Sequence, residues 1–140
     1  MKNINIKNYI KLFSNLTPEK IKCFDDLIDE NIIFVDPFNN IKGSNEFKKI
    51  FYHMFKSVKN PRFLVIDYLV GKNIAFLKWK MSFNAFNSPQ QIEGVSELRI
   101  NEEGKIYSHI DYWDSLNGLF IKLPFIGIIY RLSLKMFKVN

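Results

Sequence analysis

The chain has 140 residues, a hydrophobic fraction of 47%, an aromatic fraction of 16% with 14 Phe, and a formal charge of +6. That size and composition fit one folded domain and exclude a disordered chain. The basic excess comes from lysines scattered among acids, with Arg62, Arg99 and Arg131 far apart, so the concentrated stripe that nucleic-acid binding needs is missing.

Cys23 stands alone and cannot form an internal disulfide. The opening "MKNINIKNYIKLF" lacks the continuous apolar core of a secretion signal, and no run approaches about 18 apolar residues. The expected location is therefore the cytoplasm, without a membrane-spanning helix. Two histidines far apart and one cysteine give no metal-ligand spacing, and no motif calls for a cofactor.

Ile6, Tyr9, Ile10, Phe13 and Leu16 recur at helical spacing and predict a first amphipathic helix. Thr17-Pro18 reads as a cap followed by proline at the first helical position. It opens a second helix with Ile21, Phe24, Leu27 and Ile28 on one side. "NIIFVDP" is a short β-branched strand that Pro37 stops, because proline has no N–H to give the ladder. "FNNIKG" is a loop, and Ser44 is placed to cap a third helix carrying Phe47, Ile50, Phe51, Met54, Phe55 and Val58. Within it, His53 reads as a surface or packed residue.

The period then changes. Arg62–Val70, Ile74–Asn84, Gln90–Ile100 and Lys105–Trp113 read as strands, separated by the turn chemistry of "GKN", "FNSP" and "NEEG". Leu77, Trp79, Met81 and Phe83 share one face of their strand; Lys78, Lys80 and Ser82 share the other. Helices first, then an antiparallel meander with one apolar face, predict an α+β domain in which the helices cover that face. Long strands twist and curl, so the expected shape is a cone-shaped curved antiparallel sheet wrapped around the N-terminal helices, with room for a ligand inside.

The last strand ends in "HIDYWD". If extended, it turns His109, Asp111 and Trp113 to one face and Ile110, Tyr112 and Asp114 to the other. Asp114 then suits the N-cap of the next helix. The tail "LFIKLPFIGIIYRLSLKMFK" is strongly apolar and broken by Pro124 and Gly127. It carries Lys122, Arg131, Lys135 and Lys138 without an acid. Three roles compete for it: a helix lidding the cone or packing in a dimer, a membrane-surface segment, and a docking site for a protein partner. The division expected is a cone domain over residues 1–115 and a C-terminal apolar, basic, helical extension over 116–140.

In order and spacing, "IFVDPFNNIKGSNEFKKIF", "AFLKWKMSF", "IEGVSELRINEEGKI" and "HIDYWD" resemble the nuclear transport factor 2-like (cystatin-like) fold, in its SnoaL-like branch, over roughly residues 6–115. The resemblance implies a homodimer paired through the outer sheet face. It does not imply one activity, because such folds host isomerases, cyclases, hydrolases and non-catalytic binders.

Three precedents apply residue by residue. In ketosteroid isomerases the base is an Asp in an Asp-Pro step, which Asp36-Pro37 matches, and a Tyr on the first helix donates to the oxyanion, as Tyr9 would. Their second donor, a carboxylic acid, falls near Ser96. Limonene epoxide hydrolases share the last-strand Asp, here Asp111, but "LKWKMSF" lacks their paired Arg and Asp. Polyketide cyclases of the SnoaL type use a last-strand Asp as acid/base, a role that fits Asp111 with His109 beside it.

The candidate catalytic residues are thus Asp111, Asp36, Tyr9 and His109. Trp113, Trp79, Ser96, Met81, Phe51 and Met54 are the candidate ligand-binding residues. The expected function is binding of a small, largely apolar molecule in the cone, with proton-transfer isomerisation or cyclisation on an Asp base. The alternative is a non-catalytic carrier, or a membrane-associated binding protein that uses the tail.

Overall fold

A computed structural model describes residues 2–119 and 122–139. Helix α1 (Lys2–Ser14) leads into a 3-10 helix (Pro18–Asp26), strands β1 (Ile28–Val35) and β2 (Asn40–Lys42), and helix α2 (Ser44–Ser57). Strands β3 (Lys59–Val70), β4 (Ile74–Ala85), β5 (Ser88–Ile100) and β6 (Ile106–Trp113) follow, then helices α3 (Ser115–Gly118) and α4 (Pro124–Leu134). The sheet runs β2-β1-β6-β5-β4-β3. The meander β3 to β6 is antiparallel throughout, as its turn chemistry predicts, and β1 joins it in parallel beside β6.

Period-2 alternation decides which face is covered. Ala75, Leu77, Trp79, Met81 and Phe83 of β4 are buried, as are Ile92, Gly94, Ser96, Leu98 and Ile100 of β5. Against this face α1 sets Ile6, Tyr9 and Phe13, the 3-10 helix sets Ile21 and Phe24, and α2 sets Phe47 and Phe51. The rings touch edge to face or tilted, with centroids 5.0 Å apart for Phe13–Phe24, 5.2 Å for Phe24–Phe47 and 5.0 Å for Phe47–Phe51. Such contacts add about 0.5–1.5 kcal/mol per pair beyond the area they bury.

Local expectations change in three places. The segment after Pro18 is a 3-10 helix that ends at Asp26, and Ile28 opens β1 instead of extending the helical stripe. Pairing with β6 captures it: the Ile106 N–H donates to the Leu27 carbonyl at 3.0 Å. "FNNIKG" contains β2, which pairs Ile41 with Phe34. Ser44 is the first helical residue of α2, with Gly43 in the cap position at φ 105°, a backbone conformation that residues with a Cβ rarely adopt.

Asp114 does cap α3, accepting from the Asn117 N–H at 3.0 Å. His53 lies exposed on α2, 3.1 Å from the Ser57 hydroxyl. Phe120 and Ile121 of the apolar tail lie outside the described residues. No helix among the described residues is long and apolar enough to cross a membrane.

Candidate functional site

Strand β6 turns His109 inward between helix and sheet. The register places Ser96 opposite Asp111, Leu77 opposite Ser96, and Leu98 opposite His109. Four rings surround the imidazole, with centroids at 5.1 Å for Phe34, 5.9 Å for Tyr9 and 6.0 Å for Phe13 and Phe47.

The polar groups within this aromatic shell form one connected array. The Tyr9 hydroxyl lies 2.7 Å from His109 Nδ1, and His109 Nε2 lies 2.8 Å from Asp111 Oδ1. The Ser96 hydroxyl donates to the same Asp111 Oδ1 and lies 3.2 Å from His109 Nε2. Trp79 Nε1 donates to Ser96 Oγ at 2.9 Å. The donor inventory of these groups assigns the directions. The Tyr9 side chain is fully buried and among the described residues its hydroxyl bonds His109 Nδ1; a phenol donating there leaves Nε2 as the nitrogen that donates to the carboxylate. Burial first, and the Asp111 charge second, hold the Tyr9 phenol well above its ordinary pKa.

Asp111 therefore has one oxygen fully used and one not. Oδ1 accepts from both His109 and Ser96, whereas Oδ2 receives no hydrogen bond from the described residues. Asp111, His109, Ser96 and Trp79 line a cavity of about 40 Å³, closed in by Phe13, Phe51, Phe63, Val65 and Leu77. That space suits water or one small group, against the roughly 300–1,000 Å³ of ordinary ligand pockets.

A larger cleft of about 680 Å³ begins one step further along the same elements. Met81 lines it two residues beyond Trp79 on β4, and Met54 three residues beyond Phe51 on α2. Phe38, Ile92, Trp113 and Leu119 complete much of its apolar wall. Methionine side chains are adaptable packing units, and these two line the cleft on the elements that also line the cavity.

The predicted residues thus separate into four places. His109, Asp111, Ser96, Trp79 and Phe51 meet at the cavity, and Trp113, Met81 and Met54 line the cleft. Tyr9 stands behind His109 and does not line either space. Asp36 does not join the site. Its Oδ1 accepts the backbone N–H groups of Phe38 at 2.8 Å and Asn39 at 2.7 Å, and the Asn39 amide bonds both carboxylate oxygens. A carboxylate so occupied shapes the turn into β2 and is not placed to act as a base in the cavity.

Lys78 and Lys80 face outward and bridge Glu93 at 3.3 and 3.2 Å, so β4 supplies no charged group to the cavity. The walls Phe13, Phe63 and Val65 escape sequence reasoning, because core and cavity wall share one apolar pattern. Gly94 also does. A Cβ there would stand 2.7 Å from Trp79 Cη2 and 2.9 Å from the Tyr112 carbonyl, so its absence is what lets the Trp79 ring lie across β5.

A curved mixed sheet folded over N-terminal helices, with a polar array on its inner face, defines a nuclear transport factor 2-like protein. The chain belongs to the SnoaL-like domain family, whose pattern it matches over residues 7–109.

Solved structures agree on the fold. A nuclear transport factor 2-like protein of unknown function from an Exiguobacterium species superposes with a TM-score of 0.68 at 16% identity, covering 79% of this chain and 98% of that one. A hypothetical protein with a ketosteroid isomerase-like fold from Catenulispora acidiphila, in complex with trimethylamine, gives 0.70 at 14%, covering 86% and 93%. An LEH-like epoxide hydrolase of M. tuberculosis gives 0.65 at 13%, covering 94% and 92%. At these identities the likeness concerns the fold alone. No curated protein matches the sequence significantly.

Proposed function

We propose that this protein binds a small, largely apolar molecule and moves a proton on it, as an isomerase or cyclase with Asp111 as the base. One observation carries the reading: Asp111 is held through Oδ1 by His109 and Ser96, while Oδ2 receives no hydrogen bond from the described residues, in a residue that lines the cavity. A carboxylate fixed on one side and open on the other is positioned for general base catalysis.

The bulk of the ligand occupies the cleft, and its reacting end passes Met54 and Met81 into the cavity. Asp111 Oδ2 takes a proton from carbon beside a carbonyl, and the electron pair moves onto the carbonyl oxygen. Ser96 lines the cavity, and its hydroxyl turns to that oxyanion, a stronger acceptor than Asp111 once Asp111 is protonated. Returning the proton to another carbon completes an isomerisation; attack of the enolate carbon on a second carbonyl, with the Asp111 proton passing to the new alkoxide, completes a cyclisation. Tyr9 acts through His109 as a positioning residue, since its hydroxyl is engaged and away from the cavity.

A carrier is the second reading, favoured by the volumes: the cleft of about 680 Å³ holds a ligand without any use of the cavity of about 40 Å³. Purification that retains the ligand, followed by mass spectrometry, identifies the molecule. Comparing its turnover by the natural protein and Asp111→Asn then decides. Proton transfer predicts a loss of about 10²–10⁴-fold with binding retained; equal turnover, or none in either protein, leaves the carrier.

Two further features belong to this proposal. The outer sheet face exposes Leu64, Phe76 and Tyr112, which supports pairing of two copies there. The lone, exposed Cys23 suits a reducing cytoplasm.

A further inference from the structure

Helix α4 is amphipathic in the unusual sense. One side presents the buried Gly127 and the half-buried Tyr130 and Leu134. The side it turns outward presents Phe125, Ile128, Ile129 and Leu132, exposed by 81, 52, 68 and 59%. These positions are three and four apart, so they form one continuous stripe. The chain then continues through overlapping turns, with the Met136 N–H on the Ser133 carbonyl and the Phe137 N–H on the Leu134 carbonyl, both at 3.1 Å. Met136 and Phe137 are about as exposed as Phe125, at 80 and 81%. A contiguous apolar surface of this kind marks a contact surface.

The charge beside the stripe selects the partner. Arg131, Lys135 and Lys138 are exposed and have no ion-pair partner among the described residues. No Asp or Glu follows Asp114 in the sequence. A second copy docked on this stripe would bring like charges together across a two-fold contact. A negatively charged lipid surface satisfies both features at once: the apolar stripe enters the acyl boundary while the long basic side chains reach back to the headgroups.

We propose that α4 and the turns after it dock the protein on an anionic membrane surface, lying in its plane. Eleven helical residues span about 16 Å, too short to cross a bilayer. Leu119, just before this segment, lines the apolar cleft, so docking holds the cleft near the phase in which an apolar ligand dissolves. That consequence rests on the ligand reading above, whereas docking itself does not.

The test is flotation of the full chain with vesicles of phosphatidylcholine alone and of phosphatidylcholine mixed with phosphatidylglycerol. The chain is expected to float with the mixed vesicles and to stay behind with the neutral ones. Arg131→Gln with Lys135→Gln should weaken binding about thirtyfold, at about fivefold to sixfold for each charge near an anionic surface. Ile129→Asp should abolish flotation while leaving the thermal unfolding transition in place, because the side chain is outside the core.

Failure of the natural chain to float with either vesicle overturns the proposal, as does flotation that neither set of substitutions changes. Concentration-dependent dimerisation lost in Ile129→Asp, without flotation, assigns the stripe to a second copy instead.

Discussion

Tyr9 and His109 stand 100 positions apart in sequence and share a hydrogen bond of 2.7 Å between the phenol and Nδ1. Through it the first helix sets the orientation of an imidazole on the last strand, and the other ring nitrogen faces Asp111. Helix packing and carboxylate geometry are thereby one problem.

Tyr9→Phe tests that bond. The substitution keeps the ring among Phe13 and Phe24 but leaves the buried Nδ1 without a donor, at a cost of about 1–3 kcal/mol in urea unfolding. Its pH signature separates it from a packing defect. A phenol held above its ordinary value of 10.0 contributes stability that is fully present below the unfolded value and is lost as pH rises through the folded value. The natural protein should therefore lose stability as pH climbs past about 10, and the gap to Tyr9→Phe should narrow there. A gap of constant size across that range refutes the account.

Asp111→Asn and Asp111→Leu should differ sharply in stability. Asparagine retains an oxygen to accept from His109 and Ser96, and should fall within about 1 kcal/mol of the natural protein. Leucine strands both donors in a buried array and should cost about 2–5 kcal/mol. Equal unfolding midpoints for the two variants would show that the array does not hold the fold.

Gly94→Ala adds one methyl group where the Trp79 ring lies. Backbone stands on the other side at the Tyr112 carbonyl, so the ring must move and its bond to Ser96 with it. Overpacking of this kind costs about 1–3 kcal/mol. Tryptophan fluorescence of the folded state should shift along with the unfolding midpoint, and an unchanged spectrum would contradict the placement.

Phe76→Glu with Tyr112→Glu addresses the outer face of the sheet. If two copies pair there, the buried like charges should convert a dimer to a monomer in sedimentation at unchanged thermal stability of the subunit. A natural chain that already sediments as a monomer, or a dimer indifferent to both charges, rejects this face as the interface.

Much of the meander was legible in the sequence because the strand period of two is local. Alternation in "AFLKWKMSF" and "HIDYWD" puts Leu77 with Trp79 on one face, and His109 with Asp111 on one face, without reference to any other element. The cap at Asp114 was equally local. Three things were not. Asp36 and Asp111 both read as carboxylates at a strand end, and only the turn at Asn39 shows that one of them is already satisfied. Trp113 shares a face with Asp111 yet lines a different space. In the row Trp79–Gly94–Trp113 the Trp79 ring lies over Gly94, a placement that strand alternation does not reveal. Tyr9 was placed beside a substrate by its position on the first helix, but its hydroxyl bonds His109 and lines neither space.

The sequence by itself determined which residues share a face and that helices must cover one side of a curled sheet, because side-chain direction follows a short period along the chain. Only the tertiary structure decided which inward residues meet, how the protons run between them and how much space remains. Those depend on contacts such as Tyr9 with His109, between segments that no local pattern connects.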